Sequence, residues 1–144
     1  MEAPRADRSL VRAGFVLFTL ALLTGFAIPA FTNHRMALAA HVGGVLNALA
    51  LIALGLSWGL LVMGPFQAKL TRGAFLSATY LNWVTACLAA AWGTSKLTPL
   101  SGAGYAAAPW QESVVQALQV VLSLVIVAGA VSVIHALRPP RARA

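Results

Sequence analysis

Four apolar stretches, each long enough to cross a bilayer, occupy most of this sequence. About 20 apolar residues suffice for one span, and residues 11–31, 36–63, 74–92 and 110–137 each approach or exceed that length. The first, VRAGFVLFTLALLTGFAIPAF, carries no charge after Arg12. It follows Arg5 and Arg8, as a signal peptide follows its basic start, but its apolar run outlasts the roughly 7–15 residues of a signal-peptide core. A retained helix is expected. Pro29 should bend its exit into the polar turn Thr32-Asn33-His34-Arg35, because proline removes a backbone donor. The chain is 60% hydrophobic and 9% charged, with a mean hydropathy of +0.82, outside the range of soluble domains. The expected fold class is an all-α membrane protein: one domain, residues 1–144, of four transmembrane helices in an antiparallel bundle.

The net charge of +7 does not indicate nucleic acid, because the basic residues flank apolar runs instead of lining a face with aromatic platforms. They resemble membrane anchors. Arg5, Arg8, Arg12, Lys69, Arg72, Arg138, Arg141 and Arg143 fall on one side of the four spans, against Arg35 and Lys96 on the other. By the positive-inside rule both termini and the middle loop are expected on the cytoplasmic side, and the expected location is the inner (cytoplasmic) membrane. Cys87 is the single cysteine, which excludes an intramolecular disulfide and a Cys-rich metal site.

The connections differ in kind. Residues 64–73, GPFQAKLTRG, open on Gly-Pro and carry two cations, which marks a surface connection. Residues 93–109 are rich in Gly, Ser, Thr and Pro, and a loop of that length is usually functional. It is expected to fold over the bundle mouth as a lid. Its SGAG is no phosphate loop, since no strand precedes it and the Walker pattern is absent.

Glu112 is the only carboxylate inside the apolar body, and Gln116, Gln119 and Ser123 follow it at i+4, i+7 and i+11. That spacing places all four on one helix face. Polar side chains at membrane depth turn toward the bundle interior and mark functional sites by default. The plainer interpretation is interhelical glue, at roughly 1 kcal/mol or less per bond. Two further rows run at i+3: His41, Gly44 and Asn47, expected to face the fourth helix, and Thr79, Asn82 and Thr85. At about 1.5 Å of rise per residue, Asn82 lies roughly 15 Å below Trp92 and Gln119 roughly 10 Å below Glu112. A pocket at the outer end is therefore expected, with Arg35, Trp92 and Trp110 at its mouth, although tryptophan also belts interfaces without forming pockets. GLSWG, residues 55–59, offers a close-approach face, and four short helices bury little surface, so a homo-oligomer is expected.

Two segments carry a resemblance: residues 33–55, NHRMALAAHVGGVLNALALIALG, and residues 82–112, NWVTACLAAAWGTSKLTPLSGAGYAAAPWQE. In order and spacing, Asn33-x-Arg-Met, Ala40-His41, Asn47, Asn82-Trp83, Trp92-Gly93-Thr94, Thr98-Pro99 and Trp110-Gln111-Glu112 resemble the hydroxylaminobenzene mutase family. The resemblance implies a small membrane isomerase that turns an aryl hydroxylamine substrate into an ortho-aminophenol with no cofactor and no metal. Two positions depart from the family pattern: His34 stands where proline is expected, and Gly43 where members often carry glutamate.

Such chemistry needs a proton for the departing hydroxyl, stabilisation of the cation left behind, and a base for the ortho proton. Glu112, partly desolvated beneath the loop, is the candidate general acid. Trp92 or Trp110 offers a π-face to the cation. His41 is the candidate base, an imidazole being the side chain suited to proton transfer near neutral pH. Asn47, Asn82, Trp92, Trp110, Gln116, Gln119 and Arg35 are the candidate substrate-binding residues. Two other classes fit less well. A haem- or metal-binding helix bundle lacks an evident second ligand, since His135 falls at the opposite end. A small transporter or assembly subunit has no need of a lone buried acid beside aromatics.

Overall fold

The computed structural model describes residues 5–138. The expected basic tail beyond Arg138, with Arg141 and Arg143, lies outside the described residues. Four helices carry the fold: α1, Arg8–Phe26; α2, His34–Ser57; α3, Pro65–Trp92; and α4, Pro109–Ala136. All four are long and apolar enough to span a membrane, and no strand occurs among the described residues. The protein is a multi-pass, all-α membrane protein.

Local chemistry sets the helix ends. The Asp7 carboxylate caps α1 by accepting from the Ser9 and Leu10 N–H groups, and the Asn33 side chain caps α2 by accepting from Met36 N–H. Such caps satisfy donors that the first helical turn leaves unpaired. Pro29 lies in a 3-10 turn, Ile28–Ala30, after α1 has already ended at Phe26. Trp58–Leu60 forms a similar turn after α2. One expectation is overturned here: residues 65–73 are not a loop but the first turns of α3. Gly64 stays extended as the cap and Pro65 takes the first helical position, where its missing N–H costs nothing. The cations of that segment, Lys69 and Arg72, are exposed, while Gln67 and Thr71 hydrogen-bond Ser132 of α4.

In lipid no hydrophobic force draws helices together, so they associate through close packing and interhelical hydrogen bonds. The seams accordingly hold Ala37, Ala40, Ala48, Ala78, Ala89 and Ala90, all buried. Bonds cross between helices from Tyr80 Oη to the Ala13 carbonyl at 2.8 Å, from Trp83 Nε1 to Thr24 Oγ1 at 3.1 Å, and from Asn47 Nδ2 to the Thr79 carbonyl at 3.3 Å. Gly55 is the close-approach residue expected to serve self-association. It is instead occupied within the chain, since a Cβ there would stand 2.8 Å from Val11 Cγ2 and 2.9 Å from its backbone nitrogen.

Helices α1, α2 and α3 pack on one another, whereas α4 makes backbone contact with α3 alone among the helices. Its Val115 and Val133 side chains reach the two core clusters. The α4 backbone stands off from α2, and the space between them, floored by α3, is where the polar side chains gather.

Candidate functional site

Two cavities occupy that space. The upper, of about 280 Å³, is lined by Met36 and Ala39 of α2, by Asn82 and Thr85 of α3, by Gln119 of α4, and by Leu97 and Thr98 of the connecting segment. The lower, of about 160 Å³, is lined by Asn47, Thr79, Asn82, Gln119 and Ser123, among others. Asn82 and Gln119 belong to both, and Gln119 Nε2 donates to Asn82 Oδ1 at 3.3 Å. This amide pair is at once a bond between α3 and α4 and the partition between the two cavities. It consumes one donor and one acceptor, leaving an NH₂ on Asn82 and acceptor capacity on Gln119 for something else.

The segment 93–108 roofs the upper cavity and is fixed from below. Glu112, buried in the first turn of α4, accepts the Ser95 N–H on Oε1 at 2.9 Å and the Lys96 N–H on Oε2 at 3.2 Å. Fully buried Asn33 donates through Nδ2 to the Ser101 carbonyl at 2.8 Å. Arg35 donates to the Ala103 carbonyl and lies over the Tyr105 ring. Thr98 reaches back to the Met36 sulfur at 3.8 Å. Glu112 and Arg35 thus act on the roof, and neither lines the upper cavity. Trp92 and Trp110 meet edge to face, with centroids 5.2 Å apart. Trp92 packs against the Met36, Ala37 and Val115 cluster, whereas Trp110 is 60% exposed.

The sequence profile of styrene oxide isomerase matches residues 6–138. The chain belongs to that family. Hydroxylaminobenzene mutase HabB of Ectopseudomonas oleovorans is 39% identical over 124 residues, covering 85% of this chain and 75% of the relative. Hydroxylaminobenzene mutase HabA of the same organism is 37% identical over 107 residues, covering 74% of this chain and 79% of the relative. The resemblance carried by residues 33–55 and 82–112 is therefore borne out. No solved structure matches the chain.

Within this family member the expected site residues do not all converge. Asn47, Asn82 and Gln119 line the space between α2 and α4. Gln116 is exposed and lines neither cavity, because it sits about 60° around α4 from Gln119, on the edge of the polar stripe farthest from the buried face of Val115, Leu122 and Gly129. His41 does not face α4. Its Nδ1 lies 2.8 Å from the Ala21 carbonyl of α1, and its ring lines a separate groove of about 370 Å³ with Leu22, Phe26, Ile28 and Leu38. A carbonyl only accepts, so Nδ1 carries a hydrogen, and in the neutral ring the lone pair then lies on Nε2. That nitrogen is the one competent to take a proton or to ligate. Among the described residues no three His, Cys, Asp or Glu side chains gather as a metal-binding group.

Sequence reasoning missed Thr98, Met36 and Asn33 as builders of the site, and noted Thr85 only as part of a polar row. Asn33 and Thr98 did stand in the motifs that carry the family resemblance. Their roles in holding the roof depend on contacts across more than 60 positions of chain, between residues 33 and 101 and between 36 and 98, which periodicity cannot register.

Proposed function

We propose that this chain is an isomerase converting an aryl hydroxylamine of the hydroxylaminobenzene type to the ortho-aminophenol, in the cavity beneath the 93–108 roof. The kinship to two hydroxylaminobenzene mutases over most of the chain carries this reading. Substrate and product are isomers, so the atoms balance without an oxidant or reductant. The hydroxyl leaves nitrogen as water once protonated, water returns to the ortho carbon, and loss of the ring proton restores aromaticity.

The upper cavity suits a one-ring substrate. Its volume of about 280 Å³ lies at the small end of the roughly 300–1,000 Å³ typical of ligand sites. Met36, Ala86, Ala89, Leu97 and Val115 supply apolar walls for the ring, and Asn82 and Gln119 supply amides for the nitrogen substituent. The apolar walls limit capture of the cation by bulk solvent. Glu112 is a positioning residue in this scheme, acting through the roof it holds. His41 keeps a free Nε2 as a base, on the α1 side of α2.

The proposed setting is the inner membrane with both termini cytoplasmic, supported by the cation asymmetry between the two ends. The roof then faces outward, and a small neutral substrate reaches the site laterally through lipid between α2 and α4. Self-association belongs to the same proposal. A half-buried imidazole in a groove of Leu22, Phe26, Ile28 and Leu38 is costly against hydrocarbon, and a second copy laid over it removes that cost. Native mass measurement in mild detergent should show a homo-oligomer; a monomer with full activity counts against it.

The deciding experiment is conversion of hydroxylaminobenzene to 2-aminophenol by purified protein without added cofactor. Absence of the product sinks the proposal, and isomerisation of styrene oxide in its place reassigns the substrate within the family.

A further inference from the structure

Helical threonines and serines in this protein usually satisfy their hydroxyls locally. Thr19 bonds to the Phe15 carbonyl, Thr24 to Leu20, Thr79 to Phe75 and Ser77 to Gly73, each four residues back. Thr85 breaks the pattern. It is 1% exposed, its Oγ1 has no hydrogen-bond partner among the described residues, and it lines the upper cavity. A buried hydroxyl without a partner is destabilising, and native structures leave few. The back-bond to residue 81 is open to any helical threonine, so its absence here calls for a partner from elsewhere.

We infer that Thr85 anchors the substrate: its Oγ1 hydrogen-bonds the N-hydroxylamino group of the one-ring aromatic bound in the upper cavity. The inference rests on the mutase proposal and deepens it. A hydroxyl both donates and accepts, as does N–OH, so the two are complementary in either sense. Asn82, one helical turn before Thr85, lines the same cavity, and its bond with Gln119 leaves the Asn82 NH₂ and acceptor capacity on Gln119 unengaged. The cavity thus has a polar corner made by Thr85, Asn82 and Gln119, against apolar walls made by Met36, Leu97 and Val115. A monosubstituted aromatic whose one polar group lies at the end of the ring's long axis matches that division, and an unsubstituted ring does not.

Thr85→Val is nearly isosteric and deletes the hydroxyl, and Thr85→Ser restores it. Because Oγ1 is unpaired within the protein, the Val variant should melt at or above the parent temperature. Its kcat/KM for hydroxylaminobenzene should fall roughly 10- to 100-fold, mainly through KM, with Thr85→Ser recovering most of the loss. A packing role would instead lower melting temperature and activity together. Equilibrium binding of 2,6-difluorophenylhydroxylamine, which keeps the N-hydroxylamino group but has no ortho hydrogen to lose, separates a failed anchor from a failed function. Parent binding that weakens about tenfold in Thr85→Val, one lost hydrogen bond, supports the anchor even if the parent turns over no hydroxylamine. Equal binding by parent and Val variant, or no binding by the parent, overturns it.

Discussion

Glu112 holds two backbone N–H groups of the roof, one on each carboxylate oxygen. An amide in its place keeps one acceptor and turns an NH₂ toward the other donor. Glu112→Gln should therefore cost about 1–3 kcal/mol of stability and reduce turnover less than tenfold at temperatures well below melting. Thermal melts and kinetics on the same preparation check this. A loss of about 10²–10⁴-fold with parental melting would return Glu112 to the role of proton donor. Asp7 presents the other informative carboxylate. Partial burial pushes its carboxyl up, but the Ser9 hydroxyl, the Leu10 and Ser9 N–H groups and the Arg72 guanidinium outweigh this and hold it below its ordinary 3.8. A carboxyl depressed by folding stabilises the fold above its unfolded value, and that contribution is lost as pH falls through the lower folded value. Stability should hold from neutrality down to about pH 4 and then decline. Asp7→Ala should cost about 1 kcal/mol at neutral pH and flatten the acid limb; an unchanged limb in melts at pH 3 would exclude Asp7 as its source.

At the scale of elements, adjacent glycines in α2 have opposite tolerance. A Cβ on Gly44 would stand 2.7 Å from Trp83 Cδ1 and 2.8 Å from Ala21 Cβ, while one on Gly43 meets nothing within 4 Å. The Trp83 ring is tied to Thr24 and cannot swing away without losing that bond. Gly44→Ala should cost about 1–3 kcal/mol by overpacking, whereas Gly43→Ala should be neutral or gain up to about 1 kcal/mol from helix propensity. Equal melting temperatures for the two variants would contradict the α1–α2–α3 packing. The sequence marked Gly44 as part of an i+3 row with His41 and Asn47, and the row does lie within one sector of the helix. Helix α2 has α1 on one flank and α3 on the other, so His41 turns to Ala21, Gly44 to Trp83 and Asn47 to Thr79. A sector that narrow meets different neighbours because adjacent helices cross at an angle and side chains reach sideways.

For the whole molecule, the arrangement separates two ends. Arg72 bonds Asp7 and Ser9, and Val62 N–H donates to the Ala136 carbonyl, which brings the starts of α1 and α3 and the end of α4 together. The roof, Asn33 and Arg35 stand at the other end. A reporter fused after Arg143 should read cytoplasmic and one inserted near Ser101 external. An external C-terminus would reverse the orientation and place the roof toward the cytoplasm. Either result leaves the cavity between α2 and α4 in place, because its walls depend on helix packing and not on the orientation of the membrane.

The identities of residues within 33–55 and 82–112 carried the family resemblance, and the order of apolar runs and polar breaks was enough to establish four spans and their approximate limits. Those follow from length and hydropathy, which act along the chain. Residues 65–73 escaped because proline, glycine and cations signal a connection, yet the same proline is at home in a first helical turn. The site was only partly legible. Periodicity found Asn47, Asn82 and Gln119 because each faces a neighbouring helix, and it found Glu112 as a lone buried charge. Which carboxylate oxygen meets which N–H, that His41 turns to α1, that Gln116 faces outward and that Thr85 is left unpaired were decided by tertiary structure alone. Each depends on where a second helix stands and how far away it is, and helices in lipid settle that by shape and hydrogen bonding between segments distant in sequence.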